Sequence, residues 1–313
     1  MKKSIAFIGS NSFSGYHLIK LCKESNYKVY GISRYDTDRI KCDKHLKADI
    51  NKDSYKIKEF LNELDPDVIV NIVAIASVQT SWEHPGDYFR TNCASISDIV
   101  KGISPKKFIQ MSTPEVYGNK IGGESTLYNP STPYAMSKAA FDMYLMSLYK
   151  NYNFPVSFVR PCNWFGPYQN LYTIVPKTII KIKKKEKLYL DGTGLSYRNF
   201  IYVTNVCDGI LKVIENGKEG EIYHISTDDL LSIKELIELI CMKMGYSFNK
   251  LIVERPDRIG KDMEYNLDSN KIRKDLGWKP RYTLSEGIDK TIEWIENDWD
   301  KLKNMSLEYN FRN

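Results

Sequence analysis

A tyrosine and a lysine four residues apart, Tyr134 and Lys138, are the pair in this 313-residue chain best suited to chemistry. On a helix this spacing places both side chains on one face, one turn apart. The unperturbed pKa of a phenol is about 10, and a neighbouring ammonium group lowers it by favouring the phenolate. Such a tyrosine can take a proton from an alcohol near neutral pH while a hydride leaves the same carbon. Because the pair also arises by chance, its meaning depends on the segments around it.

The amino terminus has the pattern of a dinucleotide site. The apolar run 5–8 predicts a buried strand, a stretch with helical spacing begins near residue 17, and small residues fill segment 9–15 between them. Gly9 and Gly15 would let the backbone approach a pyrophosphate, which the helix N-terminus would bind. The spacing is G-x-x-S-x-x-G with Ser12 in the middle, so an ordinary strand–helix turn is the alternative.

Two further polar segments each follow an apolar stretch that predicts a strand. The sequence S-T-P-E-V-Y-G occupies residues 112–118, and R-P-C-N-W-F-G-P occupies residues 160–167. The first places the Thr113 hydroxyl and the Glu115 carboxylate at the C-terminal end of a strand, where open α/β sheets bind ligands. With the glycine turn, these segments bracket the tyrosine–lysine pair.

In this order, the glycine turn, S-T-x-E-V-Y-G, Y-x-x-x-K and R-x-x-N-x-x-G-P resemble an extended short-chain dehydrogenase/reductase of the NAD-dependent nucleotide-sugar epimerase/dehydratase group. The resemblance continues through residues 197–203, 257–262 and 271–288, and so covers essentially the whole chain. The C-terminal third is most similar to the thymidine-diphosphate-glucose 4,6-dehydratase branch. Residues 31–34 and 81–85 are more similar to the guanosine-diphosphate-mannose branch.

The resemblance implies an enzyme that oxidises C4 of a nucleotide-diphosphate sugar to a 4-keto sugar. Tyr134 would take the 4-hydroxyl proton, Thr113 would hydrogen-bond the same oxygen, and Lys138 would lower the pKa of Tyr134 and hold the nicotinamide ribose. Glu115 matches the family carboxylate that removes the C5 proton, which disfavours simple 4-epimerisation. Pro114 replaces the dehydratase Asp that protonates the departing 6-hydroxyl. Release of the ketone (a 4-dehydrogenase), 4,6-dehydration, 4-epimerisation and glucuronate decarboxylation therefore stay open, as does a degenerate regulatory subunit without activity.

The same resemblance implies three residues that bind the substrate diphosphate, namely Asn163, Arg198 and Arg258. Two arginines would give charge-assisted contacts to phosphate oxygens, with surface ion pairing as the alternative. Met263 and Glu264 stand where the thymidine branch has basic residues. This difference favours a guanosine-linked hexose or heptose.

The cofactor choice, in this family, depends on the end of the second predicted strand. An acid there bonds the ribose 2′-hydroxyl of NAD, and a basic residue accommodates the 2′-phosphate of NADP. Arg34 by itself favours NADP, but Asp36 and Asp38 follow closely, and an arginine can stack on adenine instead. Since most C4-oxidising relatives use NAD, we expect NAD, with NADP not excluded. The expected cofactor contacts are Gly9, Ser12, Phe13, Gly15, Ser33, Arg34, Asp49, Ile50, Ala74, Ala76, Tyr134 and Lys138.

Composition sets broader limits. The chain is 42% hydrophobic and 27% charged, as in ordinary globular proteins. A net charge of +6 gives a weak preference for anionic small molecules and no case for nucleic acid. Six scattered cysteines and four histidines show no metal-ligand spacing, so we expect no metal and reduced thiols in a cytoplasmic protein. No apolar stretch approaches the length of a membrane span, and no membrane association is expected.

Alternating strands and helices in the first half predict an α/β fold with a doubly wound parallel sheet. The resemblance implies a Rossmann-type domain at 1–165 with returning elements around 198–226. It also implies a smaller, interleaved C-terminal substrate-binding domain at 166–197 and 227–313, and a homodimer in which the helix of Tyr134 packs against its twin. The Lys-, Ile- and Asn-rich composition fits a bacterial role in surface-polysaccharide biosynthesis.

Overall fold

The computed structural model describes residues 2–36, 41–119, 122–256 and 264–311. The strands are β1 Ser4–Ile8, β2 Lys28–Ser33, β3 Lys44–Lys47, β4 Val68–Asn71, β5 Phe108–Met111, β6 Val156–Pro161, β7 Asn163–Phe165, β8 Leu188–Asp191, β9 Tyr197–Tyr202, β10 Ile222–Ile225, β11 Leu230–Ser232, β12 Ile252–Arg255 and β13 Glu264–Tyr265. The helices are α1 Phe13–Glu24, α2 Ser54–Leu64, α3 Val78–Glu83, α4 Pro85–Phe89, α5 Ser95–Val100, α6 Pro133–Tyr152, α7 Ile174–Lys184, α8 Val203–Asn216, α9 Ile233–Lys243, α10 Phe248–Leu251, α11 Asn270–Leu276, α12 Leu284–Asn297 and α13 Trp299–Leu302. Within these ranges, every helix is too short or too polar to cross a membrane.

Seven parallel strands form the main sheet in the order β10-β6-β5-β4-β1-β2-β3. Strands β1, β4, β5 and β6 are buried along their whole length, because helices cover both faces of the sheet. Helices α1 and α8 contribute to the core on one face, and α2, α5 and α6 to the core on the other. The predicted doubly wound parallel sheet is confirmed. Its strand order reverses between β1 and β4, where such sheets bind ligands.

The second half of the chain builds smaller sheets. Strand β9 pairs with β7, β11 and β13, while β8 pairs with β12. Residues 197–202 therefore belong to a smaller sheet rather than to the main one. Helix α8 and strand β10 then return to the main sheet, with α8 packing against α1 and β10 pairing with β6.

The helical stretch from Pro85 to Val100 is not one continuous α-helix. Helix α4 passes into one turn of π-helix over Arg90–Ala94 before α5 begins. The π-turn buries Thr91 and Asn92. Such a wide turn is often found at functional sites.

Candidate active site

A cleft of about 1780 Å³ opens at the C-terminal ends of the main-sheet strands. All four residues predicted to be catalytic line it, namely Thr113, Glu115, Tyr134 and Lys138. Residues from the glycine turn and from the smaller sheets also line this cleft. The structure thus brings together segments that are far apart in the sequence.

The catalytic side chains lie on α6 and on the short turn after β5. Helix α6 begins with Pro133, and the Thr132 hydroxyl caps it by accepting a hydrogen bond from the Ala135 amide at 3.2 Å. Tyr134 and Lys138 therefore occupy the first two turns, on one face. The Lys138 ammonium donates to the Met111 carbonyl at 2.7 Å, which ties α6 to the end of β5. The Thr113 side chain faces the Tyr134 hydroxyl across the same gap.

Burial controls the protonation of this pair. It raises the pKa of Tyr134, the negative charge of Glu115 raises it further, and the hydrogen bond with Thr113 acts in the opposite direction. Burial also lowers the pKa of Lys138 to about 8. The direction for Tyr134 is the reverse of the one expected from its spacing to Lys138. Desolvation of a buried phenol outweighs the effect of an ammonium that is itself buried and bonded to Met111.

The glycine turn has the geometry of a pyrophosphate cradle. The amides of Gly9 and Ser10 donate to the Ile32 carbonyl at 2.9 and 3.0 Å, and the Ser12 hydroxyl caps α1 by accepting from the Gly15 amide at 3.0 Å. A Cβ at Gly15 would lie 2.2 Å from the Ser10 carbonyl oxygen, so only glycine allows the helix to start so close to the turn. Gly9, Ser12 and Phe13 line the cleft, whereas the buried Gly15 acts through this packing.

The other cofactor residues predicted from the sequence lie along the same cleft. Its lining includes Ser33, Arg34, Asp49, Ile50, Ala74 and Ala76. The Arg34 guanidinium lies over the Tyr35 ring at 5.4 Å, and Asp36 pairs with Lys47 at 3.4 Å instead of facing the cleft. These residues fit a dinucleotide that lies across the ends of β1, β2 and β4.

A buried asparagine, Asn92, holds the segment that carries Ala74 and Ala76. Its side-chain carbonyl accepts from the Ile75 amide at 2.8 Å, and its amide group donates to the Ile75 carbonyl and to the Ser137 hydroxyl, both at 3.0 Å. Asn92 therefore connects the loop after β4 to α6 beside Lys138. The role of Asn92 is not visible in the sequence, because a π-turn inside a helix leaves no periodic signal.

The residues expected to bind the substrate diphosphate have three different outcomes. Asn163, on β7, is exposed in the cleft. Arg198 stacks over the Tyr265 ring at 4.2 Å and donates to the Tyr197 carbonyl at 2.7 Å, and the cleft lining does not include it. Arg258 lies outside the described residues. Two cations from the second half of the chain that were not predicted, Lys177 on α7 and Arg255 on β12, do line the cleft.

Residues 5–226 match the model of the NAD-dependent epimerase/dehydratase family. This chain belongs to that family. A protein of Bos taurus named dTDP-D-glucose 4,6-dehydratase is 32% identical over 326 residues, covering 96% of this chain and 91% of the relative. The structure of DesIV, a dTDP-glucose 4,6-dehydratase from Streptomyces venezuelae with NAD bound, superposes with a TM-score of 0.89 and 25% identity, covering 95% of this chain and 98% of that one. A UDP-glucose 4-epimerase from Thermotoga maritima gives the same TM-score and identity, covering 95% and 99%.

The epimerase/dehydratase family, the enzyme class and the NAD cofactor predicted from the sequence are therefore confirmed. When NAD is bound in the cleft, its nicotinamide ring is the hydride acceptor. Among the described residues, no three His, Cys, Asp or Glu side chains converge as ligands for a metal ion.

A fully buried ion pair lies beneath the catalytic turn of this family member. Arg160 on β6 contacts Asp142 on α6 at 2.9 Å, and neither side chain is exposed. Asp142 also accepts a short hydrogen bond from Ser112, the residue before Thr113. The Arg160 guanidinium makes short hydrogen bonds to the hydroxyls of Tyr117 and Tyr128. Through Ser112, the Arg160–Asp142 pair thus holds in place the turn that carries Thr113 and Glu115.

Replacing Asp142 with Asn should destabilise the protein strongly. Arg160 would keep its charge without a counter-charge in a buried site, and breaking such a pair costs about 3–5 kcal/mol. Urea unfolding should show this loss in the free energy of unfolding. The matched control is Asp275→Asn, because Asp275 pairs with Lys271 on the surface and exposed pairs contribute little. Equal stabilities of the two variants would contradict this view of the pair.

Two histidines, the partly buried His17 and the fully buried His224, should make the stability fall in acid. Burial lowers the pKa of His17 to about 4, and burial together with the charge of Arg160 lowers that of His224 to about 3, from an ordinary value of 6.5. Below about pH 6.5 the unfolded chain binds protons that the folded chain does not, so the free energy of unfolding falls as the pH drops towards 4. At about pH 5.5 each histidine should lower the free energy of unfolding by roughly 1 kcal/mol.

The variant His17→Gln tests this acid sensitivity. Its urea midpoint should differ less between about pH 7.5 and pH 5.5 than that of the unchanged protein, since one proton-binding site of the unfolded chain is gone. An unchanged difference would assign the acid sensitivity to other groups.

Proposed function

We propose that this protein is an NAD-dependent 4,6-dehydratase of a nucleotide-diphosphate sugar, with dTDP-glucose as the first substrate to test. The observation that carries the proposal is the position of three groups at one end of the cleft. Thr113, Glu115 and Tyr134 all line the cleft, and Thr113 and Glu115 are both close enough to act on the protonation of the Tyr134 phenol. The bovine and Streptomyces relatives named dTDP-glucose 4,6-dehydratases support this choice.

The first step is oxidation at C4. Tyr134 accepts the proton of the sugar 4-hydroxyl while Thr113 hydrogen-bonds the same oxygen, and the hydride leaves C4 for the bound cofactor. Lys138, which is held by Met111 at the base of the site, binds the ribose next to the reacting ring. The product is a 4-keto sugar whose C5 proton has become acidic.

The second step is elimination across C5 and C6, and Glu115 is the residue placed for it. Its carboxylate accepts the C5 proton. The neighbouring Pro114 has no proton to give, so the same carboxyl, now protonated, passes the proton to the departing 6-hydroxyl, which leaves as water. The C5 proton and the 6-hydroxide thus leave together as water. The hydride taken from C4 then adds at C6, a solvent proton adds at C5, and Tyr134 gives up the 4-hydroxyl proton to solvent, so the net change is the loss of one water.

Mass spectrometry after incubation with thymidine-, uridine-, cytidine- and guanosine-linked sugars tests the proposal. Loss of one water from one member of the panel supports it. Loss of two hydrogens would instead indicate a 4-dehydrogenase that releases the ketone, and loss of carbon dioxide from a glucuronate a decarboxylase. The panel also tests the guanosine-linked hexose or heptose, which the sequence analysis favoured.

A 4-epimerase is the second candidate, favoured by the absence of an acid at Pro114 and by the likeness to the Thermotoga maritima UDP-glucose 4-epimerase. In deuterated water a dehydratase exchanges the C5 hydrogen, whereas an epimerase that acts only at C4 leaves it in place. A product of unchanged mass without deuterium at C5 would therefore establish the epimerase.

We further infer a homodimer that forms through α6. This helix exposes Met136 and Met143 on its outer face, with exposed fractions of 43% and 56%. A subunit interface would remove these apolar side chains from water. All six cysteines are free, which is usual in the reducing cytoplasm and supports the predicted cytoplasmic location. The role in surface-polysaccharide biosynthesis stays a prediction. Light scattering of the purified protein measures the oligomeric state.

A further inference from the structure

The C-terminal tail, residues 303–311, follows α13 and crosses the mouth of the cleft. Leu307 is buried against the main core, and Glu308 pairs with Lys177 of α7 at 3.1 Å. The Tyr309 ring packs edge-on against Tyr172 at 5.0 Å, just before α7. This half of the tail is therefore held against the wall of the cleft that α7 and the residues just before it form.

The end of the tail contacts the opposite wall. The Phe311 ring stacks on His84 at 4.3 Å, with the two rings 2° from parallel. The Phe311 ring also lies nearly parallel to the ring of Tyr88, which belongs to α4, with the centroids 6.3 Å apart, and the Tyr309 hydroxyl faces that of Tyr88. The tail thus bridges both walls, and residues 307–311 line the same cleft as the catalytic group.

Tyr88 links this bridge to the reacting centre. It is completely buried, and its hydroxyl donates to the Ser77 carbonyl at 2.6 Å. Its ring packs edge-on against the Tyr134 ring, with the centroids 6.3 Å apart. One aromatic ring therefore separates Tyr309 from the residue that takes the substrate proton.

We propose that the tail forms the outer wall of the sugar-binding part of the cleft, and that Tyr309 is a positioning residue that acts on Tyr134 through Tyr88. The inference rests on the proposed function, because it is the chemistry at C4 that places the hexose beside Tyr134. With the hexose there, a wall next to Tyr134 would contact the sugar, and the nucleoside diphosphate would lie farther from Tyr134. We therefore expect the tail to contribute more to the recognition of the sugar than to that of the nucleotide.

Calorimetric binding of dTDP-glucose and of dTDP separates these contributions, each measured in the presence of NADH, which cannot accept a hydride from the sugar. Tyr309→Ala should weaken dTDP-glucose binding about tenfold and leave dTDP and NAD binding unchanged within about twofold. Tyr309→Phe keeps the ring and loses only the hydroxyl that faces Tyr88. It should bind dTDP-glucose normally and lower kcat roughly fivefold, about the effect of one lost polar contact. Met305→Ala, an exposed tail residue outside the cleft, is the matched control and should change neither value.

The proposal would be overturned if Tyr309→Ala lost equal affinity for dTDP-glucose and dTDP, or lost affinity for neither. It would also be overturned if Met305→Ala weakened dTDP-glucose binding as much as Tyr309→Ala. Thermal unfolding of each variant shows whether a loss of binding reflects loss of the fold. If the unchanged protein binds dTDP-glucose but converts no sugar of the panel, the proposed dehydratase fails. The comparison of the two ligands still decides the role of the tail, because it measures binding alone. If another sugar of the panel is the one bound, that sugar and its nucleoside diphosphate are the pair to compare.

Discussion

Tyr134→Phe should lower turnover by about 10²- to 10⁴-fold, the usual contribution of a positioned acid–base group. Phenylalanine keeps the ring that packs against Tyr88 and removes only the hydroxyl that bonds Thr113. The fold should therefore survive with a loss of about 1 kcal/mol, typical of one hydrogen bond. Product formation by mass spectrometry and NAD binding by fluorescence titration measure the two effects, and NAD binding should be retained.

Tyr144→Phe provides the control for this variant. Tyr144 lies on the same helix, α6, outside the cleft lining, and should tolerate the change without loss of turnover. If Tyr134→Phe kept more than about a tenth of the turnover, another group would have to accept the C4 proton, since the loss would lie below the range for acid–base catalysis.

Glu115→Gln should separate oxidation from dehydration. Glutamine has nearly the same shape as glutamate but cannot accept the C5 proton, so water loss should fall by about 10²- to 10⁴-fold. Oxidation at C4 does not need the carboxylate, and NADH should accumulate during a single turnover. Solvent deuterium should no longer enter C5. Absorbance of NADH and mass spectrometry of the sugar follow the two steps separately.

The same substitution should move the pH dependence of C4 oxidation. The charge of Glu115 raises the pKa of Tyr134, so its removal lowers that pKa. Since oxidation begins with a deprotonated Tyr134, the rising limb of the pH–rate profile should shift to lower pH. Glu83→Gln, on an exposed position outside the cleft lining, is the control and should shift nothing. Full water loss by Glu115→Gln would falsify the assignment of Glu115 as the base.

The first half of this fold could be predicted because its signals are local. The apolar run of β1, the turn with Gly9 and Gly15, and the spacing of Tyr134 and Lys138 each follow from neighbouring residues in the sequence. The structure brings them to one cleft through the parallel sheet, whose strand ends all meet at one edge.

The remaining features depend on contacts between distant segments. Strands of two or three residues such as β13 and β11 exist only because β9 lies between them, and no sequence period marks them. The position of Arg198 is set by the Tyr265 ring, and the path of the tail by Tyr172 and Tyr88. The raised pKa of Tyr134 likewise depends on burial, which spacing alone does not reveal.

The return of β10 to the main sheet limits how specificity can be exchanged between relatives. The chain leaves the main sheet after β6 and builds β7 to β9. It returns with α8 and β10, and then contributes β11 to β13 to the smaller sheets. On β10, His224 bonds the Tyr117 hydroxyl at 2.7 Å, below the catalytic turn. A chimera with a single junction would therefore separate this strand from its partners. Exchange of the segments that build the smaller sheets requires two donor segments joined around an unchanged α8–β10 unit. The tail should come from the same donor as α7.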